Sequence, residues 1–457
     1  MSETTFIHEK WSSRTTFLMA AIGAAVGLGN IWRFPFVTSE YGGGAFVLLY
    51  LFFVFIIGLP LIMAELSLGK HGKMGAIGTL QKLIRENNLH SFWKIIGWFS
   101  ILVPLVALTY YSVVAGWSMA YVFKAATGAL NQTDAAGFGS VFGGMLGSFG
   151  ELSLWHTIYI LGIVLVVSSG VRHGLETTIK FMMPALFLII LFLAAYNLAI
   201  GDASKSLGFL FSADFSKLSG EAVLAALGQA FFSLAVGVGA LITYGAYLPQ
   251  GVWLPRAAVI IAASDTAVAL LASLAIFPIM FSFGMPLTGD PGMMFITLPL
   301  AFSQMPGGGI VAILFFLLLS FAAFTSSIAM LEPCIAWLED KGLGRRKMSW
   351  IVGIICWVIG LIMVGSFNEW KDFHPLGFLS FFEGKNIFDV TDFFVANIFL
   401  PLNALLMAVF VGWFVSDRLI REQLEIRSDA LFSLWRLLVR FVGPVAIAII
   451  LVNQISG

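Results

Sequence analysis

The sequence predicts an all-α integral membrane protein of eleven transmembrane helices, with inverted five-helix repeats (spans 1–5 and 6–10) in which spans 1 and 6 are discontinuous. Three observations carry this. Hydrophobic residues make up 59% of the 457 residues and charged residues 11%, with a mean hydropathy of +0.95. Soluble domains carry roughly 25% charged residues, so composition alone points into the bilayer. Apolar runs long enough to cross a hydrocarbon core fall at about 15–37, 43–67, 96–123, 154–170, 176–200, 221–248, 256–284, 309–337, 349–366, 390–415 and 434–455. Finally, two of these runs, five spans apart, are broken by glycines at mid-depth.

Orientation follows from the cations between the runs. With the N-terminus in the cytoplasm, eighteen Lys and Arg fall on that face. Only Lys124, Lys205, Lys217, Lys371 and Lys385 fall on the other. The excess predicts a multi-pass cell-membrane protein, bacterial inner membrane in kind, with N-terminus cytoplasmic and C-terminus extracellular. The first fourteen residues are polar and lack the apolar core of a cleaved signal. Connections are short, so one domain is expected: repeat one over about 15–200, repeat two over about 221–415, and an extra span at about 434–455. The segment 285–308 is too interrupted to span and too apolar for a free loop, which predicts an external lid that dips inward.

Other classes are disfavoured. Twenty-five basic residues balance twenty-five acidic ones, so nucleic acid is not an expected partner. Cys334 and Cys356 both lie in apolar runs and read as buried thiols. There is no Walker lysine loop, and the six histidines are scattered, so no enzyme chemistry is expected.

The first run contains Gly23-Ala-Ala-Val-Gly-Leu-Gly-Asn-Ile-Trp-Arg-Phe-Pro35. Gly27, Gly29 and Asn30 weaken the helix at mid-membrane, and Arg33 places a charge where charges are costly. A helix broken there frees carbonyls for a cation and N–H groups for a carboxylate. Gly237 and Gly239 repeat the weakness in the sixth run. Small residues also serve close helix packing, the plainer reading of either pair taken singly.

These segments resemble the neurotransmitter:sodium symporter family, in its bacterial amino-acid branch. The resemblance rests on Val26 to Pro35, Gly42 to Phe46, Tyr110-Tyr111, Gly228 to Gly239 with Thr243-Tyr244, and Thr325-Ser326-Ser327, and it covers nearly the whole chain. Most relatives have twelve spans, and eleven leave both repeats intact.

The resemblance implies two sodium ions. The first is expected among the Ala25 carbonyl, Asn30, Ser233 and Asp265, with the substrate carboxylate as a further ligand. The second is expected between the Gly23 and Val26 carbonyls and Ala322, Thr325 and Ser326. The hydroxyls of Thr325 and Ser326 also have a bland use, bonding back to the preceding turn. The substrate carboxylate is expected at the N–H groups of Gly27 to Gly29 and the Tyr111 hydroxyl. Ala24, Ala107, Phe232, Ala235, Val238, Ser326 and Met330 are expected to line an apolar side-chain pocket, with Ala25 and Ser233 beside it. Arg33 and Asp392 are expected as a paired outer gate, with Phe232 and Tyr111 as a lid. Trp11, Tyr247 and Asp340 match the inner gate, where His8 replaces the usual arginine and Lys10 is a substitute.

Glu65 and Glu332 are further buried acids, expected to have a structural or coupling role and no ligand function. Gly174 and Pro184 in span five read as a static kink or as a segment that unwinds. Asp265 stands where many relatives have asparagine, so a fixed carboxylate replaces a mobile anion and chloride is not required. A one-residue shift in register makes Ser264 the ligand instead. The expected function is sodium-coupled import of neutral hydrophobic L-amino acids, aliphatic and aromatic, by alternating access, with a monomer sufficient. The alternatives are a symporter for amines or osmolytes, and a non-transporting binding protein or channel.

Overall fold

The computed structural model describes residues 9–456. Among the described residues nine helices are long and apolar enough to cross a membrane, and the bent pair of span one makes ten. The broken sixth run falls into two shorter helices, and the order is the expected one. Span one is Arg14–Ala25 followed by Gly29–Glu40, bent by 56° at the break. Spans two to five are Gly44–Gly72, Ser91–Ala126, Phe149–Ser168 and Val171–Ile200. Span six is Gly220–Ser233 followed by Ala240–Ala246. Spans seven to eleven are Leu254–Ser282, Gly308–Asp340, Arg345–Gly365, Ile387–Phe414 and Asp429–Gln454. The inner face of the bundle is the one that the cation count assigns to the cytoplasm, and the outer face is the opposite one.

Each break has a local cause. Ser13 opens span one with a capping box, its hydroxyl accepting from the Thr16 N–H and the Thr16 hydroxyl accepting from the Ser13 N–H. The helix stops at Val26, which is extended at φ −68°, ψ 113°. In span six, Ala235, Gly237 and Gly239 all take positive φ, at 50°, 89° and 80°. Backbone groups freed in hydrocarbon need partners. Glu65 of span two accepts the Gly237 N–H at 2.7 Å, and Asn403 of span ten donates to the Gly237 carbonyl at 2.6 Å. Glu65, unassigned from sequence, is thus the clasp of the second break.

The spans pack as two interlocked repeats. Span eight lies along span three, span five along span seven, and span four along span nine, while the inner half of span six lies against span two. Span eleven is fixed to span ten by arginines. Arg436 donates to the Val411 and Val415 carbonyls at 2.6 and 2.7 Å, and Arg440 to that of Gly412 at 2.6 Å, satisfying the last turn of span ten. Short helices cover the ends, among them Ala76–Glu86 at the inner face, which buries Ile77, Leu80, Leu83 and Ile84.

The segment 285–308, expected as an external lid that dips inward, enters the bundle partly as a helix. It is helical over Met293–Ser303 and wedged into the outer end of the bundle rather than draped over it. Phe295 is fully buried, stacks on Phe142 at 5.1 Å and meets Trp117 and Tyr121 edge-on, while its carbonyl accepts from the Tyr121 hydroxyl. That aromatic cluster stabilises the helix between the Pro and Gly interruptions. In span five, Val171–Ile200 is continuously helical across Gly174 and Pro184. Gly174 lies directly against the Val166 carbonyl, where a side chain would collide.

Gly239 combines φ +80° with a position where a Cβ would lie 2.7 Å from the Ser100 carbonyl. Gly239→Ala is therefore expected to cost about 1–3 kcal/mol and lower the melting midpoint in detergent. Gly228→Ala, with no neighbour within 4 Å of the added methyl, is expected to leave it unchanged. Equal midpoints for the two variants would contradict this account of the break.

Candidate functional site

The two breaks face each other across the core. Asn30, Ser233 and Asp265, all buried, meet there. The Asn30 amide donates to Asp265 Oδ1 at 2.7 Å, to the Asp265 carbonyl at 3.1 Å and to Ser233 Oγ at 2.9 Å. Ser233 donates to Asp265 Oδ2 at 2.5 Å. The Asn30 amide oxygen accepts the Gly27 N–H at 3.0 Å, which pins the first break. In span seven Asp265 points into the cluster, while Ser264 is only partly buried.

Two residues not singled out from sequence complete this layer. Tyr50 of span two donates to Asp265 Oδ2 at 3.3 Å, and Gln229 of span six donates to the Gly29 carbonyl at 3.1 Å. Neither carries a sequence signal, because each is a lone polar residue in an apolar run. Gln229 ties one broken span directly to the other.

A second oxygen-rich point lies between spans one and eight. Ser326 Oγ donates to the Val26 carbonyl at 3.0 Å and approaches the Gly23 carbonyl at 3.4 Å. The Thr325 hydroxyl donates to the Phe321 and Ala322 carbonyls, both at 3.1 Å. Gly23 packs on Thr325, where a Cβ would come within 3.2 Å of the threonine Cβ. All five residues expected at this point therefore lie together, with Thr325 bonded back to its own helix and Ser326 reaching across.

Beside the first cluster is a cavity of about 340 Å³. Its walls include Ala24, Ala25, Gly27, Gly29, Tyr111, Phe232, Ser233, Ala235, Val238, Ser326 and Met330. Ala107 is the exception among the expected lining residues. It is buried one turn before Tyr111 on the same face of span three, and its methyl does not reach the wall. The cavity also extends to Asn397 and Leu400 of span ten, which no sequence motif marks. Both glycines are needed for space: a Cβ on Gly27 would lie 2.9 Å from Ser326 Oγ, and one on Gly29 3.0 Å from the Phe232 ring. The Leu28 N–H points toward the Tyr111 hydroxyl at 3.4 Å.

The two ends of this cavity differ. At the outer end Arg33 and Asp392 both line the wall, but the expected direct ion pair is not formed. The Arg33 guanidinium instead lies 5.1 Å over the Phe232 ring, a cation–π contact, while Asp392 faces the Tyr110 hydroxyl. At the inner end Trp11 is buried, its backbone N–H donating to the Tyr247 carbonyl at 3.0 Å and its ring edge-on to Tyr244. Tyr247 donates to Glu332 at 2.7 Å, and Arg345 bridges Glu332 and Glu339. Glu332, expected only as a buried acid of structural or coupling role, thus bonds Tyr247 on one side and an arginine of the next span on the other. Asp340 caps helix Ala76–Glu86, accepting the Gly75 N–H at 2.8 Å. His8 lies outside the described residues.

Comparisons with known proteins agree with this geometry. The profile of the sodium:neurotransmitter symporter family matches residues 8–137 and 142–457. The chain is 35% identical over 451 residues to the uncharacterized sodium-dependent transporter YhdH of Bacillus subtilis, covering 98% of each. It is 32% identical over 461 residues to an uncharacterized sodium-dependent transporter of Haemophilus influenzae, again covering 98% of each. Among solved structures it resembles MhsT in complex with L-phenylalanine, with a TM-score of 0.87 and 38% identity over 98% of this chain and 100% of that one. The chain therefore belongs to the sodium:neurotransmitter symporter family, whose members are multi-pass secondary transporters and not enzymes.

Proposed function

We propose that the protein couples inward sodium flow to uptake of neutral hydrophobic L-amino acids, aliphatic and aromatic, by alternating access. The observation that carries this reading is the juxtaposition of the Asn30–Ser233–Asp265 cluster with an apolar cavity whose wall at Gly27 has no side chain. The MhsT complex with L-phenylalanine supports the same substrate class.

Sodium is a hard cation that takes oxygen ligands. The Ala25 carbonyl, Asn30, Ser233 and Asp265 hold the first ion in this reading. Ligation by Asn30 requires its amide oxygen, rather than its NH₂ group, to face Asp265. The Gly23 and Val26 carbonyls with Ala322, Thr325 and Ser326 hold the second. The substrate carboxylate lies at Gly27 to Gly29 and Tyr111, adjoining the first ion, and the side chain fills the space among Ala24, Phe232, Val238 and Met330. The substrate's carboxylate is offset by its own ammonium group and the first ion by the Asp265 carboxylate, so Asp265 removes the need for a mobile anion. Access alternates between the Arg33–Asp392 mouth and the Trp11–Tyr247–Glu332 closure. A monomer contains every group named.

An amine substrate lacks the carboxylate that this arrangement requires. Leucine and phenylalanine are accordingly expected to compete for binding, and tryptamine not to, in a scintillation proximity assay. Gly27→Asp is expected to abolish amino-acid uptake by like-charge repulsion as well as crowding against Ser326. Tight tryptamine binding without leucine binding would instead favour the amine reading.

Chloride replacement separates the electrostatic proposal from its rivals. Vesicle uptake is expected to persist when gluconate replaces chloride. Asp265→Asn is expected to require on the order of ten-fold more sodium for half-maximal uptake, equivalent to about 1.4 kcal/mol. Collapse of uptake without chloride, or an unchanged sodium requirement in the variant, would count against it.

The outer gate has its own test. Asp392→Asn leaves Arg33 without its counter-charge whenever the mouth closes. Uptake is expected to fall at least ten-fold while the melting midpoint moves by only a few degrees. Wild-type uptake in this variant would remove Asp392 from the mechanism.

A further inference from the structure

Away from the transport path, three recesses ring the inner turn that joins spans six and seven. One, of about 290 Å³, is lined by Arg14, Leu18, Trp253, Arg256, Ala257 and Ile260. Arg14 is the first residue of span one and Arg256 lies in the first turn of span seven. Among the described residues, neither arginine side chain makes a hydrogen bond or an ion pair. The Arg14 guanidinium is nonetheless placed, lying directly against Gly251, whose φ of +74° turns the chain beneath it.

The recess is amphipathic in the direction of the membrane. Each arginine is followed four residues later by an aliphatic wall residue, Leu18 and Ile260, both half-buried. Four residues of helix advance about 6 Å, so cations stand at the mouth and hydrocarbon one turn deeper on both sides. Trp253 is 49% exposed at the rim, where an amphipathic ring favours the headgroup level. In the adjoining recess Lys10 and Lys73 add positive charge, and Glu425, the acid that lines it, is already bound to Lys70 at 2.8 Å. The recess of Arg14 and Arg256 is therefore cationic, with no acidic residue in its lining.

We propose that this recess binds one anionic phospholipid of the cytoplasmic leaflet, its phosphate between Arg14 and Arg256 and an acyl chain along Leu18 and Ile260. The phosphate accepts hydrogen bonds from two guanidinium groups on different spans, which ties the inner tip of span one to span seven. The inference rests on the cytoplasmic assignment of this face and not on the identity of the transported solute.

The full-length protein in nanodiscs of mixed phosphatidylglycerol and phosphatidylcholine supplies the test, read by native mass spectrometry during stepwise delipidation. Wild type is expected to retain one phosphatidylglycerol, and Arg14→Gln/Arg256→Gln at least ten-fold less. Leu18→Gln/Ile260→Gln, which keeps both arginines, is also expected to lose it. Arg346→Gln/Lys347→Gln, which removes two exposed cations elsewhere on the same face, is expected to behave as wild type. The melting midpoint of wild type should rise by several degrees in phosphatidylglycerol relative to phosphatidylcholine, and that of the arginine variant should not. Equal retention in all variants, equal loss in the Arg346/Lys347 control, or equal retention of phosphatidylcholine would overturn the proposal. Displacement by millimolar glycerol 3-phosphate would overturn the role of the acyl chain.

Discussion

A helix broken in hydrocarbon must find partners for its freed backbone groups, and the whole core is organised around that requirement. Span one breaks near its middle, at Val26 to Leu28, and span six at Leu234 to Gly239. The first break is held by the Asn30 amide oxygen on the Gly27 N–H and by Ser326 on the Val26 carbonyl. The second is held by Glu65 and Asn403, one on each side of Gly237. Gln229 and the Asn30–Ser233 bond then link break to break. The same polar groups that make the breaks tolerable are those that can face a small cation and a carboxylate. Stability and ligand chemistry share one set of atoms.

That sharing explains why the cavity is so economical in polar side chains. Asp265, the charged group at mid-depth, stands behind the wall residues Asn30 and Ser233, bonded to both and to Tyr50. Around mid-depth the wall includes Ala24, Gly27, Phe232, Val238 and Met330, while Arg33 and Asp392 stand at the outer end. A ligand is therefore oriented at one end by charge and hydrogen bonds and selected at the other by volume, the usual division of labour in a buried pocket.

The ends of the cavity use different physics. Outside, Arg33 rests on an aromatic face and Asp392 on a tyrosine hydroxyl, contacts that leave the mouth uncommitted. Inside, Trp11, Tyr247, Glu332 and Arg345 form a continuous chain of buried bonds from span one through spans six and eight to span nine. Further bonds from Arg345 to Glu339 and the Val167 carbonyl and from the Trp11 ring to the Tyr244 carbonyl anchor the two ends of this chain.

Much of this was legible in the residues themselves. Composition and run length determined the membrane class and the order of the spans, and the placement of cations supplied the expected orientation. Glycines at 27, 29, 237 and 239 marked both breaks, because a residue without Cβ is costly in a helix unless space or positive φ demands it. Tertiary structure alone decided the rest. Glu65 and Glu332 read identically as buried acids, yet one clasps a backbone break and the other joins an arginine latch. Ala107 and Tyr111 share a helical face, but only the longer side chain reaches the cavity. The segment around Phe295 lies between Pro and Gly interruptions and becomes a packed helix, because Trp117, Tyr121 and Phe142 come from distant parts of the chain to enclose it. Periodicity fixes which face of a helix a residue occupies; what stands opposite that face is set by how the helices pack, and one span's sequence holds no record of it.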